Sequence, residues 1–473
     1  MQRSSPSSAR GHWTASEPIL DHRGLHGERQ PFPDGGEEPG PGSRIDASSS
    51  VTVCFLVPDI HALQTGGNVY NRRMAEGLRS DAAVQVIPWT PEETPAPALD
   101  LSGADVVVVD SLLARHPDAL RAVHTEHPAA SFVLLVHYLR CVDPNREDDD
   151  GIGDERATLK IVEGAVTTSR FTRRALVDEG LPPEQVKVAQ PGLGEQYRGT
   201  RPMRLGNGPP RLLTVANLLP EKGLRSFVDV LRGLRDLSWT WTLVGDASLD
   251  PEYAAGVFRR LRAAGLTNRV TWPGPVSPDT LRTWYDRADL FVLPSRFETC
   301  SLSTREAMAR GLPVVGYRVG GLPENFGDAA AGHLVPAGDD PALRAALRSL
   351  LVDPMTRAQT AAAARRQSRL FPTWVESADR FREALTTLHA RTTDSTVPVH
   401  VLSTDPTLVD RVRQRGFTDG LLPTDASPRL RQEGLYSFLV RLLAAHDRAG
   451  PAADTTELPP LKPKGVSPSL LVR

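Results

Sequence analysis

Residues 290–315 of the chain read LFVLPSRFETCSLSTREAMARGLPVV. The apolar run Leu290–Leu293 predicts a buried strand, and the apolar pattern from Leu302 to Arg310 predicts a helix. Gly311 ends that helix, and the next strand begins at Pro313. Short apolar strands that alternate with helices indicate βαβ units in a parallel sheet that is covered on both faces.

The same alternation of strand and helix continues on both sides of this stretch. It predicts one doubly wound domain over residues 51–200 and, after a Pro- and Gly-rich linker at 201–210, a second one over residues 211–371. Within the first domain a single helix is expected over Leu112–Thr125. Because parallel sheets bind ligands at the carboxyl ends of their strands, the expected site is the cleft where the two Rossmann-like α/β domains face each other.

The composition argues against several classes of protein. A formal net charge of -2 disfavours a nucleic-acid binder, and the sequence has no apolar run of about 18 residues that could span a membrane. Three widely spaced cysteines and the lack of a secretory signal fit a cytoplasmic protein. Residues 1–50, rich in Ser, Pro and Gly, are expected to be disordered, and residues 391–473 form an extension with no functional signal.

The polar loop between the predicted strand Leu290–Leu293 and the helix that follows it carries the residues for the chemistry. The backbone N–H groups of Thr299–Ser301 and the helix N-terminus would face the cleft as an anion site, suited to a diphosphate. Cys300 lies in this loop, where the helix N-terminus can lower the pKa of its thiol, and on that hypothesis its alkylation would block donor binding. The alternative is that Cys300 is a small residue that simply fits the loop. Glu298 and Glu306 bracket the loop, and their carboxylates can accept hydrogen bonds from sugar or ribose hydroxyls.

This stretch resembles the family-4 retaining glycosyltransferases, which have the GT-B architecture. A second match is Val215–Gly223, where the family holds a diphosphate with an Arg and a Lys. Lys222 stands at the Lys position, whereas Asn217 occupies the Arg position and adds no charge. The resemblance covers about residues 51–390. Its core is a pair of glutamates separated by seven residues, with these flanks: Pro294-Ser295, Phe297-Glu298, Leu302, Glu306-Ala307-Met308-Ala309, Gly311 and Pro313-Val314-Val315.

The resemblance implies a role for each site residue. Lys222 and the loop amides hold the diphosphate, Glu306 binds the ribose, and Glu298 contacts the donor sugar or stabilises its cationic transition state. His137, at the end of a strand, lies near the reacting sugar. The segment at 372–390, whose helix begins at Trp374, crosses back to the first domain. Further contacts to the donor, the acceptor or phosphate are expected from Gly66, Gly67, Arg170, Asn217, Gly245, Gly274, Thr299, Cys300, Ser301 and Leu302.

The implied reaction moves a sugar from a nucleotide-diphosphate-sugar to an acceptor hydroxyl, without a metal or another cofactor. The run Asp148–Asp150 satisfies an Asp-x-Asp pattern, but it lies in a predicted acidic loop and is not assigned to a metal. The acceptor stays open between a carbohydrate, a lipid and a small molecule, and so does a peripheral contact with the inner face of the membrane. Two other interpretations also stay open: a sugar-nucleotide epimerase or phosphorylase of the same fold, and a catalytically weak scaffold protein that binds sugar nucleotides.

Overall fold

The computed structural model describes residues 51–58, 65–144, 151–199, 208–327 and 330–394, together with four short strands between 398 and 472. The tail at 1–50, most of the linker at 201–210, the run Asp148–Asp150 and most of the extension at 391–473 lie outside the described residues. Among the described helices, none combines the length and the apolar character that crossing a bilayer requires.

The first domain is built on six parallel strands in the order β2-β1-β3-β4-β5-β6. Every residue of β4 is buried, as expected for a continuous apolar run in the middle of a sheet that is covered on both faces. The strands are Thr52–Val57 (β1), Ala83–Pro88 (β2), Val106–Asp110 (β3), Ser131–Val136 (β4), Gly164–Thr167 (β5) and Val186–Val188 (β6).

One helix of this domain differs from the prediction. Instead of one helix over Leu112–Thr125, the chain forms a 3₁₀ turn at Ser111–Arg115 and then an α-helix that begins at Pro117. Proline disfavours helical backbone in the residue before it, so His116 breaks the helix in two. The helices are Gly66–Leu78 (α1), Pro117–Glu126 (α2), Gly151–Leu159 (α3) and Arg170–Asp178 (α4).

The second domain repeats this plan with strand order β12-β11-β10-β7-β8-β9, again parallel. The strands are Arg211–Val215 (β7), Thr240–Val244 (β8), Val270–Gly274 (β9), Leu290–Leu293 (β10), Val314–Tyr317 (β11) and Gly332–Val335 (β12). The helices are Leu224–Arg232 (α5), Pro251–Ala263 (α6), Pro278–Arg287 (α7), Leu302–Ala309 (α8), Asp340–Val352 (α9) and Pro354–Ser368 (α10). The two sheets confirm the predicted fold class of two doubly wound α/β domains.

The long helix Trp374–Asp394 (α11) packs against the first sheet rather than the second. Its apolar residues, among them Phe381 and Leu388, share a buried core with β1 and α1. Phe381 stacks on Phe55 with the ring centroids 6.0 Å apart. Beyond α11 the described strands form two antiparallel pairs, Pro398–Val399 (β13) with Gly420–Leu421 (β15) and Val401–Ser403 (β14) with Leu470–Val472 (β16).

The carboxyl edges of the two large sheets face each other. Thr299, which follows β10, donates a hydrogen bond from Oγ1 to the carbonyl oxygen of His137, which follows β4, at 2.8 Å. Gly321 follows β11 and lies against Ser169 at the end of β5, so closely that a Cβ on Gly321 would lie 2.8 Å from the Ser169 Oγ. In the second sheet the strand order reverses between β7 and β10, which makes the loops after these two strands the expected ligand site.

Candidate active site

An ion pair between the partly buried Lys222 and the buried Glu298 joins the loops that follow β7 and β10. Lys222 Nζ lies 2.9 Å from Glu298 Oε1, and Ser295 Oγ donates to the same oxygen at 2.7 Å. Burial would lower the pKa of Lys222, but the carboxylates of Glu298 and Glu221 raise it above its ordinary value. Lys222 therefore stays a cation at neutral pH, at the point where the strand order reverses.

Two glycines allow the backbone to close around this pair. Gly223 has φ +65° and ends the turn that carries Lys222, and a Cβ there would lie 2.0 Å from the carbonyl oxygen of Pro294. Gly320 has φ +49°, and a Cβ there would lie 2.1 Å from the carbonyl oxygen of Glu298. Any side chain at either position would push the loop of Glu298 out of place.

The loop Thr299–Ser301 leads into α8, as the sequence predicts. Thr299 is tied to the first domain through His137, and the carbonyl oxygen of Cys300 accepts a hydrogen bond from Asn325 Nδ2 at 2.6 Å. Ser301 is the N-cap of α8, and its hydroxyl accepts from the backbone N–H of Thr304. The loop is therefore anchored on both sides, and the N-terminus of α8 follows directly from it.

Cys300 corrects one expectation. Its side chain is buried, and burial raises the pKa of the thiol instead of the helix N-terminus lowering it. Desolvation of a thiolate outweighs the partial charge at a helix end once the sulfur is shielded from water. Cys300 is a small packed residue, and it is not an activated thiol that faces the cleft.

Ser301 stores backbone strain in this loop. Among the described non-glycine residues, Ser301 alone has a positive φ, at 69°. Such a conformation costs about 1–3 kcal/mol, whereas the loss of a serine cap to glycine costs only a few tenths. We therefore expect Ser301→Gly to raise the free energy of unfolding by about 1 kcal/mol, measured by urea unfolding. Ser301→Ala is the control: it loses the cap but keeps the strain, so it should destabilise by about 1 kcal/mol. Equal stability of the two variants would contradict the strain.

Glu306 lies one turn into α8 and is held by tyrosines. The hydroxyl of Tyr285 donates to Glu306 Oε2 at 2.8 Å, and Tyr197 also bonds to the carboxylate. Burial raises the pKa of Glu306 to about 7, although both hydroxyls act to lower it. The group therefore titrates near neutral pH, in a region that the resemblance assigns to ribose.

This raised pKa makes stability depend on pH. The folded state holds the proton of Glu306 more tightly than the unfolded state, so stability falls as pH rises from about 4.5 to about 7. Above that range the penalty is about 3 kcal/mol. We expect Glu306→Gln to melt several degrees above the parent protein at about pH 8 and close to it at about pH 5, by differential scanning fluorimetry.

The matched control is Glu93→Gln at an exposed position, where no such difference should develop. A Glu306→Gln protein that melts no higher than the parent at pH 8 would contradict this.

Asn217 has a structural partner at the end of β7. Its Oδ1 accepts a hydrogen bond from the backbone N–H of Asp246 at 3.1 Å. Gly245 lies next to it, where a Cβ would be 1.9 Å from the carbonyl oxygen of Ala216, and the Gly245 N–H donates to the Gly274 carbonyl at 3.2 Å. The structure thus brings Asn217, Gly245 and Gly274 together at one edge of the sheet, and Asn217 ties the neighbouring loops to each other.

His137 sits at the carboxyl edge of the first sheet and is mostly buried. Its Nε2 lies 2.7 Å from Asn71 Oδ1, and Asn71 Nδ2 donates to Asp110 Oδ2 at 2.6 Å. Burial lowers the pKa of His137, and Asp110 offsets part of this effect. A Cβ on Gly67 would lie 3.1 Å from His137 Cδ2, so the missing side chain of Gly67 leaves room for the ring.

The two remaining predicted residues, Gly66 and Arg170, lie on the first domain and face the second. Gly66 faces the second domain, where a Cβ would lie 3.7 Å from Leu302 Cδ1, so the glycine pair adjoins the start of α8. Arg170 uses its backbone instead of its side chain. Its N–H donates to Glu324 Oε2 at 3.0 Å, and the N–H of Phe171 donates to Glu324 Oε1 at 2.6 Å, while the Arg170 side chain is exposed. A carboxylate of the second domain thus occupies the N-terminus of α4.

Sequence reasoning missed several partners of the predicted residues. Asp110 ends β3 at the carboxyl edge, which is a signal that could have been used. Asn71 lies within a helix, and Tyr285 and Tyr197 are far from Glu306 in the chain, so nothing local marks them. Within the described residues no group of three His, Cys, Asp or Glu side chains is arranged to hold a metal ion.

Comparison with known proteins agrees with this geometry. Residues 209–353 match the family model described as glycosyl transferases group 1. The D-inositol 3-phosphate glycosyltransferase of Acidothermus cellulolyticus is 33% identical over 227 residues, which cover 43% of this chain and 49% of that protein. The 2-deoxystreptamine N-acetyl-D-glucosaminyltransferase of Streptomyces fradiae is 33% identical over 199 residues, covering 40% and 45%. The chain spans about half the length of these curated relatives.

Solved structures match over a larger part of the chain. Sucrose-phosphate synthase from Thermosynechococcus elongatus superposes with a TM-score of 0.60 at 19% identity, over 72% of this chain and 99% of that one. HepE from Anabaena, solved with UDP-glucose, gives a TM-score of 0.60 at 19% identity, over 71% and 99%. The two six-stranded parallel sheets are therefore those of the GT-B fold, and the second domain contains a glycosyl transferases group 1 domain.

Proposed function

We propose that this chain, a homologue of GT-B glycosyltransferases that carries a glycosyl transferases group 1 domain, transfers a sugar from a nucleoside-diphosphate sugar to an acceptor hydroxyl and retains the anomeric configuration. The observation that carries the proposal is the Lys222–Glu298 ion pair between the loops after β7 and β10, in which Glu298 is buried and Lys222 partly buried. Glu306 stands eight positions after Glu298, on the helix that starts beside the pair.

The difficult step of such a transfer is the departure of the nucleoside diphosphate. Fixed positive groups must face the phosphate oxygens as negative charge develops on them. The Lys222 ammonium group and the amides at the N-terminus of α8 supply such groups on rigid elements. We propose that they carry this charge without a divalent cation. Addition of EDTA should then leave the rate unchanged, and a rate that depends on added Mg²⁺ or Mn²⁺ would refute this part.

The two glutamates divide the rest of the donor between them. Lys222 and Ser295 both bond to Oε1 of Glu298. Oε2 would then contact the donor sugar or stabilise the positive charge of its transition state. Glu306 would accept hydrogen bonds from the ribose hydroxyls. The departing phosphate oxygen would take the proton of the acceptor on the face that it leaves, which retains the configuration. Contacts between the two domains, such as the hydrogen bond from Thr299 to His137, would keep water from the reacting sugar.

The first experiment is a thermal-shift screen of the full chain against UDP, GDP, ADP and their common sugar conjugates. A ligand at about 100 times its dissociation constant should stabilise the protein by about 2.7 kcal/mol. The shift should be lost in Glu306→Ala and Lys222→Ala and kept in Lys160→Ala, a change at an exposed lysine of the first domain.

Turnover is then tested with acceptors. Inositol phosphate and 2-deoxystreptamine are the first choices, because relatives of this chain are named for them. Proton NMR of the product gives its anomeric configuration, and inversion would refute the retaining mechanism. A nucleotide shift without transfer to any acceptor would favour the scaffold interpretation, and conversion of the donor sugar alone would favour an epimerase. No shift with any nucleotide would refute the proposed function.

A further inference from the structure

A chain of two hydrogen bonds connects His137 to a buried carboxylate. Asn71, on α1, lies between Asp110 at the end of β3 and His137 just after β4. The Asp110 carboxyl group is 2% exposed and Asn71 is 7% exposed, so water hardly competes for these bonds. The direct distance from His137 Nε2 to Asp110 Oδ2 is 3.7 Å, too long for a hydrogen bond, so the connection runs through the amide.

The network fixes where the protons lie. Asp110 accepts at both oxygens, from the backbone N–H of Leu112 at Oδ1 and from Asn71 at Oδ2. The amide of Asn71 must therefore point its NH₂ group at Asp110, and its Oδ1, which only accepts, faces His137. It follows that Nε2 of His137 carries the proton and that Nδ1 keeps its lone pair.

We propose that Asn71 and Asp110 are positioning residues that hold His137 as a neutral imidazole with its proton on Nε2, so that Nδ1 accepts a hydrogen bond from a sugar hydroxyl. The hydrogen bond to a sugar hydroxyl rests on the proposed function, whereas the tautomer follows from the protein contacts alone.

The surroundings of the ring agree with a fixed orientation. Its Cδ2 edge lies against Gly67, and the Tyr70 ring packs against its edge with the centroids 5.5 Å apart. The backbone of His137 is held on both sides, since its N–H donates to Ser111 Oγ at 3.0 Å and its carbonyl accepts from Thr299. Burial lowers the pKa of the ring, and Asp110, whose Oδ2 lies 3.7 Å from Nε2 with the neutral amide hydrogen-bonded to both, offsets only part of this effect.

The tautomer can be measured without any substrate. Long-range proton–nitrogen NMR of protein labelled with ¹⁵N-histidine distinguishes the two tautomers, and His137→Gln assigns the signal. We expect the form protonated at Nε2 in the parent protein. Asn71→Leu should give a mixture of tautomers, whereas Asn71→Asp, which puts a carboxylate in contact with Nε2, should shift the ring towards the doubly protonated form. A parent ring protonated at Nδ1, or no effect of a folded Asn71→Leu, would overturn the proposal.

A double-mutant cycle then tests the link to turnover, with the donor found in the screen. Asn71→Leu should lower kcat by roughly 10- to 100-fold, the size of effect that orienting partners of histidine have at metal sites, with little change in the KM of the donor. In a protein that already carries His137→Ala, the same change should have almost no effect. Additive losses would mean that Asn71 does not act through His137 and would overturn the positioning role. If the parent protein turns over no sugar nucleotide, the proposed function fails, but the NMR result still decides the tautomer.

Discussion

Lys222→Met should lower the rate of sugar transfer by about 100- to 1,000-fold, the usual loss when one fixed group that stabilises developing negative charge is removed. Methionine keeps an apolar stem of similar length, so the change removes the ammonium group and little else. It also leaves Glu298 buried without its cation, with Ser295 as a hydrogen-bond donor. The measurement is the initial rate of nucleoside-diphosphate release with the donor and acceptor found in the screen.

Further variants test whether the charge of Lys222 is what matters. Lys222→Arg keeps a cation and should retain more activity than Lys222→Met, while Lys160→Met, at an exposed lysine, should behave like the parent protein. The double variant Lys222→Met with Glu298→Gln tests the coupling of the pair, because contacting residues show non-additive effects. A Lys222→Met protein that is folded and within a few-fold of the parent rate would refute the role of Lys222.

The fold could be predicted because its signals are local. Apolar runs such as Leu290–Leu293 mark buried strands, and Gly311 marks the end of a helix with its positive φ of 67°. The order of the strands is not local, since it depends on which strands pair in the folded sheet. Lys222 and Glu298 could therefore be assigned to the same site from their motifs but not paired, although β7 and β10 are neighbours and the two side chains lie 2.9 Å apart.

The properties of individual groups were harder to predict than their positions. The thiol of Cys300 and the carboxyl of Glu306 lie where the motif places them, but burial by distant residues sets their pKa values. For Glu306 the partners Tyr197 and Tyr285 come from a turn before the second domain and from α7. Spacing along a chain cannot give such contacts, and the polar network of His137 was missed for the same reason.

Phe297→Ala should destabilise the protein by about 3–4 kcal/mol, because it leaves a cavity in a fully enclosed part of the core. Phe297 belongs to the loop of Glu298 in the second domain, yet its ring is buried in the core of the first domain. Its centroid lies 5.8 Å from that of Tyr138 and 5.9 Å from that of Phe171, both in edge-on arrangements. The ring thus holds the two domains together one residue before Glu298, and its loss should also lower kcat. Urea unfolding measures the first effect and the rate of transfer the second.

The matched control is Phe291→Ala, which removes an equally buried ring from the core of the second domain. It should cost a similar free energy of unfolding, but it leaves the contact between the domains intact. Small-angle X-ray scattering should therefore show a larger radius of gyration for Phe297→Ala and no change for Phe291→Ala. Phe297→Leu keeps most of the volume and should cost only about 1–1.5 kcal/mol. If Phe297→Ala and Phe291→Ala scattered alike, Phe297 would be an ordinary core residue, and the position of Glu298 would have to depend on Lys222, Ser295 and Gly320 alone.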